Sequence, residues 1–209
     1  DFATMRSILA DHDMQHVELE FLVGWLDDDA AYKAVLKDLC VAAEALGARH
    51  LKAGPDMQGK AWPLEHMAAR FRALCGRARE AGTDVALEIM PWSNLRSIDD
   101  GLAVVTAADA ANGGLLLDIW HLARGGVPYA DIAKVPAQLL KHVELDDAAA
   151  GLARKLLRVG GQVGARAVRV LAQLEQAGVA TQRVTHRRIG DVAGQQVAEV
   201  GVVEEHRRH

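Results

Sequence analysis

Apolar positions along this chain follow two periods that take turns. In HVELEFL (16–22), Val17, Leu19 and Phe21 alternate with charged residues, the pattern of a half-buried strand. The preceding ATMRSILADHD spaces Met5, Ile8 and Leu9 as a helix does. Asp27 to Asp29 then supply N-caps for a helix over AAYKAVLKDLCVAAEALG, closed by Gly47 as a C-cap. RHLKAGPD reads as a short strand broken by Gly54 and Pro55. PLEHMAARFRALCGRAREAG is a helix with proline at its start and glycine at its end. DVALEIMP, LLLDIWH and LKHVELDD are three further strands, separated by the helix SIDDGLAVVTAADAANGG and the short helical stretch YADIAKVPAQL.

Strands that alternate with helices of 10 to 18 residues predict a parallel sheet with helical crossovers. Strands are expected near 16–22, 49–53, 84–90, 114–119 and 139–145. Their polar ends, Glu20, Lys52, Glu88, Asp118 and Glu144, lie 32, 36, 30 and 26 residues apart. A (β/α)8 barrel of about 250 residues uses roughly 31 per unit. A doubly wound open sheet is the competing architecture, but no strand is followed by its Gly-rich phosphate turn. The expectation is therefore an α/β chain of the (β/α)8 TIM-barrel type, incomplete at both ends. The chain opens inside a helix whose preceding strand is missing, and the last strands are weakly marked. Residues 1–150 read as the barrel core and 151–209 as an atypical, mainly helical segment of the same domain. In that segment GLARKLLRV and ARAVRVLAQLEQAG have helical spacing, and QVAEVGVV is the best strand.

Composition sharpens that division. Residues 151–209 carry ten basic and five acidic residues, a net +5, which leaves −9 in the first 150 of a chain at −4 overall. All five prolines and all nine aromatic residues precede residue 150. An acidic core speaks against a nucleic-acid partner. No apolar run approaches the roughly 20 residues of a membrane helix, and no leader opens the chain. Cys40 and Cys75 fall in helical patterns as small buried hydrophobes, which suits a reducing cytoplasm.

Active sites of parallel α/β barrels form at the C-terminal ends of the strands. Here those ends carry Glu20, His50 with Lys52, Glu88, Asp118 with His121, and His142 with Glu144. Each has a plainer role available: Asp118 as a helix N-cap, His142 as a core histidine, Glu20 and Lys52 as surface residues. Their coincidence argues otherwise. Convergent buried carboxylates need neutralisation, and a divalent cation provides it. Oxygen-rich ligands with one imidazole suit Mn²⁺, Mg²⁺ or Co²⁺.

VELEFL, HLKAGPD, LEIMPWSNL, LLLDIWHLARGG and HVELDDA together resemble the sugar phosphate isomerase/epimerase family with the xylose isomerase-like barrel. The resemblance spans about residues 3 to 148, and DIWHLARGG is its most specific element. It implies one divalent metal, with Glu88 and Asp118 as ligands and His121 facing substrate. Glu144 stands where the family has His or Gln, a departure that adds negative charge to the metal set. The fourth ligand has no clear match; Glu199, Glu204 and Glu205 are the only candidates.

The resemblance implies a metal that polarises a carbonyl and its neighbouring hydroxyl while a carboxylate takes the proton between them, through an enediolate. Glu88 is the leading proton carrier, with His121 as its catalytic neighbour. Glu20, Lys52, Trp92, His121 and Arg124 are expected around a small-molecule sugar or hydroxy-keto acid. Trp25, Trp62 and Trp120 are further candidates for the pocket wall. The alternatives are a dehydratase or lyase on the same metal site, and a non-catalytic or truncated barrel remnant. A missing strand also leaves the edge at 16–22 open to oligomerisation and predicts a chain that is not fully competent alone.

Overall fold

The computed structural model describes residues 1–145 and the backbone of 183–185 and 202–204. The element order is α1 (Phe2–Asp11), β1 (Glu18–Leu22), α2 (Ala30–Leu46), β2 (His50–Ala53), α3 (Leu64–Glu80), β3 (Asp84–Glu88), α4 (Ile98–Ala108), β4 (Gly113–Asp118) and α5 (Ile119–Arg124). Two 3-10 helices, Tyr129–Lys134 and Ala137–Leu139, then lead into β5 (Leu140–Glu144). All five expected strands are present and pair in parallel in the order β1-β2-β3-β4-β5. This unbroken sequential order is that of a barrel wall. A doubly wound sheet would reverse its order at a switch point.

The helix boundaries follow from local chemistry. The Asp29 carboxylate caps α2 by accepting from the Tyr32 amide at 2.7 Å, and Gly47 ends it in the left-handed region at φ 66°. Ser97 and Asp100 form a reciprocal capping box at the start of α4. The expected helix over YADIAKVPAQL is instead two 3-10 turns. Pro128 and Pro136 stand immediately before each, leaving no room for a longer α-helix.

Alternation along the strands gives the sheet two unlike faces. Leu51, Ala53, Val85, Leu87, Leu115 and Leu117 point one way and join Leu36, Ala43, Phe71, Leu74, Cys75, Val104 and Val105 of the helices in one core. Gly101 of α4 sits where a Cβ would lie 2.8 Å from Ile89 and 2.9 Å from Leu115, so glycine lets the helix approach the sheet. The other face carries Glu18, Glu20, His50, Lys52, Ala86, Glu88, Leu116, Asp118, His142 and Glu144. The sheet curves enough that the side chains of β1 and β5, its two outermost strands among the described residues, meet across this inner face.

Residues 183–185 and 202–204 form a separate antiparallel two-stranded sheet, β6 and β7. β7 overlaps the end of the expected strand QVAEVGVV. The two expected tail helices, together with Glu199 and Glu205, lie outside the described residues. Both cysteines are free; Cys75 is buried, which pushes its thiol up to about 12, and Cys40 is half-buried. No helix among the described residues is long and apolar enough to cross a membrane.

Candidate metal and substrate site

Glu88 and Asp118 end β3 and β4, where the buried strand gives way to a loop or helix. Glu88 is fully buried. Its carboxylate lies 3.1 Å from His121 Nε2 and 3.5 Å from Lys52 Nζ, but neither oxygen has a hydrogen bond. Asp118 does two jobs at once. One oxygen caps α5 by accepting from the amides of Trp120 and His121 at 2.7 and 3.1 Å. The other lies 3.2 Å from His121 Nε2. The plain N-cap role and the site role therefore coexist, because α5 starts at the strand's last residue. Ligand atoms of Glu88, Asp118 and His121 all lie within 4.8 Å of one another. Two carboxylates and an imidazole, with both buried oxygens of Glu88 lacking hydrogen bonds, fit a divalent cation.

Lys52 organises the remaining carboxylates. Its ammonium donates to Glu144 at 2.7 and 3.0 Å and stands 3.2 Å from Glu20. Burial opposes its charge, yet Glu144 and Glu88 outweigh burial and hold the ammonium above its ordinary value. Glu144 is pushed the other way: burial raises its carboxyl to about 8 against the pull of Lys52. Glu144 thus shares the end of the sheet with Glu88 and Asp118, paired with Asp118 in register, but its contact is with a lysine. Glu88, Asp118 and His121 make up the compact set. Their sequence spacing, D-x-x-H, carries the His121 contact; the Lys52–Glu144 pair, 92 residues apart, has no local signal.

The expected substrate residues gather at the same end. Trp92 is exposed, with its ring 5.0 Å from that of His121 and 5.7 Å from that of Trp120, both edge-on. Arg124 stacks on Trp120 at 5.4 Å. A tight turn places Trp92: Ser93 Oγ donates to the Met90 carbonyl and accepts from the Leu95 amide. Asn94 ties that turn to the loop after β2 by accepting from the Asp56 amide at 2.7 Å. Trp25 and Trp62 serve structure instead. Trp25 is buried and donates to the Gly54 carbonyl, and Trp62 donates to Asp56. Gly54 is required there, since a Cβ would lie 2.1 Å from the Phe21 ring.

His50 and His142 do not sit with the strand ends. They face inward two residues below Lys52 and Glu144, and His16 joins them from the approach to β1. His50 Nε2 is 2.8 Å from Glu18, and His142 Nε2 is 3.8 Å from the same oxygen. The His16 ring stacks on His142 at 5.4 Å, and those of His50 and His142 lie 4.9 Å apart. Burial, helped by His50, lowers His16 to about 4; burial likewise lowers His142 to about 4. Burial opposes ionisation of Glu18, but its hydrogen bond with His50 and the charge of its neighbours hold it at about 2. Strand parity carried the signal for this layer: H-x-E-x-E at 16–20, H-x-K at 50–52 and H-x-E at 142–144 repeat one spacing.

Residues 1–190 match the family model described as xylose isomerase-like TIM barrel, and the chain belongs to that family. Among solved structures it is similar to the IolI protein with a bound zinc atom, at 19% identity and TM-score 0.66, over 84% of this chain and 70% of that one. It is similar to an L-ribulose 3-epimerase at 20% identity and TM-score 0.65, over 86% and 64%. It also matches a xylose isomerase-like TIM barrel/4-hydroxyphenylpyruvate dioxygenase fusion protein at 15% identity and TM-score 0.63, over 68% of this chain but only 24% of the fusion. At these identities the likeness is one of fold. No curated protein sequence matches the chain.

Proposed function

We propose that the C-terminal end of the sheet is a metal-dependent site for proton transfer next to a carbonyl, isomerising or epimerising a sugar or a hydroxy-keto acid. The observation that carries this reading is Glu88: fully buried, without a hydrogen bond on either oxygen, and flanked by His121 and Lys52. The zinc in the IolI relative and the epimerase activity named for another relative support it.

Glu88, Asp118 and His121 would hold a divalent cation, which supplies Lewis-acid polarisation of a carbonyl and its neighbouring hydroxyl. Glu88 is the leading base. It takes the proton from the carbon between those groups, and the C–H electron pair becomes the C=C of an enediolate. Lys52 meets the negative charge that develops on oxygen. Glu144, held on the same ammonium, would serve as a second proton carrier, and its raised carboxyl suits a group that must both give and take a proton near neutrality. Return of the proton to the neighbouring carbon, with the hydroxyl proton passing to the former carbonyl oxygen, isomerises the substrate; return to the opposite face of the same carbon epimerises it. Trp92, Trp120 and Arg124 wall the approach.

Proton exchange tests this without knowing the product. The purified chain is incubated in D2O with Mn²⁺, Mg²⁺ or Co²⁺ and a panel of ketoses and hydroxy-keto acids. Deuterium is expected at the carbon beside the carbonyl of at least one substrate, and Glu88→Gln should slow its incorporation by about 10² to 10⁴. Absence of exchange across the whole panel would overturn the reading.

A further inference from the structure

The inner layer formed by His16, Glu18, His50 and His142 stands apart from the site just described. Barrel interiors are ordinarily filled by branched apolar side chains. Leu116, paired in register with His142, keeps that habit, while β1 with the residues before it, β2 and β5 present imidazoles and a carboxylate. The cost of burying them is only partly recovered by the His50–Glu18 hydrogen bond: His16 Nε2 and His50 Nδ1 are buried with no partner. His16 is 7% exposed and His50 1%. One ligand atom from each of the four residues can be chosen so that all lie within 4.8 Å of one another. Zinc bonds of about 2.0–2.1 Å to nitrogen put tetrahedral ligands roughly 3.3 Å apart, so side-chain rotations of about an ångström would close the set.

We propose that His16, Glu18, His50 and His142 form a second metal site, selective for a borderline transition cation such as Zn²⁺ and separate from the Glu88–Asp118–His121 site. Three imidazoles with one carboxylate are the donor set of zinc, cobalt, nickel or copper, not of Mg²⁺ or Ca²⁺. The unpartnered ring nitrogens of His16 and His50 are available as donors, and the single carboxylate offsets part of the cation's charge. No lysine or arginine contacts this carboxylate among the described residues, whereas Lys52 reaches Glu88 and Glu144 in the layer above. The direct partners of Glu18 are imidazoles rather than an ammonium.

The proposal does not rest on the proton-transfer function, and its test keeps the two apart. The full chain is stripped with chelator and its Zn²⁺ stoichiometry is measured by equilibrium dialysis, alongside His16→Gln, His142→Gln and Asp118→Asn. Circular dichroism checks that each variant is folded. His16→Gln and His142→Gln should each bind one equivalent fewer than the wild type, and Asp118→Asn should retain the equivalent that they lose. X-ray absorption at the zinc edge of Asp118→Asn, loaded with one equivalent, should count three imidazoles around the ion. Should the histidine variants fail to fold, that imidazole count decides. Unchanged stoichiometry in folded His16→Gln and His142→Gln, or one imidazole or none in the absorption spectrum, would overturn the proposal.

Discussion

Two layers of side chains share the inner face of one curved sheet, two residues or roughly 6.6 Å apart along the strands, and they solve the burial of polar groups differently. The upper layer gathers Glu20, Glu88, Asp118 and Glu144 around the Lys52 ammonium and His121. The lower layer gathers three imidazoles around Glu18. β1, β2 and β5 serve both layers with the same facing; β3 and β4 add Glu88 and Asp118 to the upper layer, and His16, just before β1, joins the lower. Carboxylates at the open end of the wall carry charge that must be balanced, so that layer is built for reaction at a charged centre. Burial deeper in the wall disfavours the charged forms of His16 and His142, so that layer is richer in nitrogen lone pairs than in carboxylates. One backbone thus offers a hard, oxygen-rich site above a softer, nitrogen-rich one.

The largest expected effect separates the layers by chemistry. Glu88→Gln should reduce deuterium exchange into substrate by about 10² to 10⁴, the usual contribution of a positioned proton carrier. His16→Gln should leave exchange within about twofold of wild type. Comparable losses in both variants would merge the layers into one functional unit.

Next in size is the removal of the internal cation. Lys52→Met leaves Glu88 and Glu144 buried without it, and breaking such a pair costs about 3–5 kcal/mol. Urea denaturation in the presence of chelator should show that loss, and added Mn²⁺ should recover part of it by taking over the neutralisation. A loss that Mn²⁺ does not reduce would argue that no cation reaches the upper layer.

The layers should also respond to pH with opposite signs. Glu144 has a folded value near 8 against 4.5. The folded protein therefore holds a proton that the unfolded chain releases. Its contribution is complete below pH 4.5 and is lost as pH rises to about 8. His16 has a folded value near 4 against 6.5. Its contribution is complete above pH 6.5 and is lost as pH falls to about 4, because only the unfolded chain takes up the proton. Denaturation curves from pH 4 to 8 should lose slope between pH 4.5 and 8 in Glu144→Gln and between pH 4 and 6.5 in His16→Gln. Two variants that shift the whole curve uniformly would contradict this assignment.

The smallest effect concerns the wall of the upper layer. Trp92→Ala removes the edge-on ring beside His121, a contact of about 0.5–1.5 kcal/mol. Mn²⁺ affinity should fall by no more than about tenfold, and Zn²⁺ bound in the lower layer should be unaffected.

Much of the frame was legible in the sequence because it rests on local rules. LLLD, buried on both faces, reads as a barrel strand; Asp29, Gly47 and Ser97 mark helix ends through their own hydrogen bonds. The position of Glu88 and Asp118 at their strand ends was legible because each closes an apolar run. The pairing of Glu144 with Lys52 was not, since it depends on how far the sheet curves to bring β5 toward β2. His16 escaped notice for a related reason. It precedes the first rung of β1, and only the side-chain parity of three separate strands links it to His50 and His142. Proline placement, rather than hydrophobic period, decided that residues 129–139 form 3-10 turns.

Isothermal titration with Mn²⁺ tests the central division most directly. Asp118→Asn keeps an acceptor for the α5 cap but removes the charge that the upper site needs, while His16→Gln touches only the lower layer. The wild type should bind one Mn²⁺, Asp118→Asn should bind it at least about 100-fold more weakly, and His16→Gln should match the wild type. Wild-type Mn²⁺ affinity in Asp118→Asn would contradict the assignment of the metal to the strand ends.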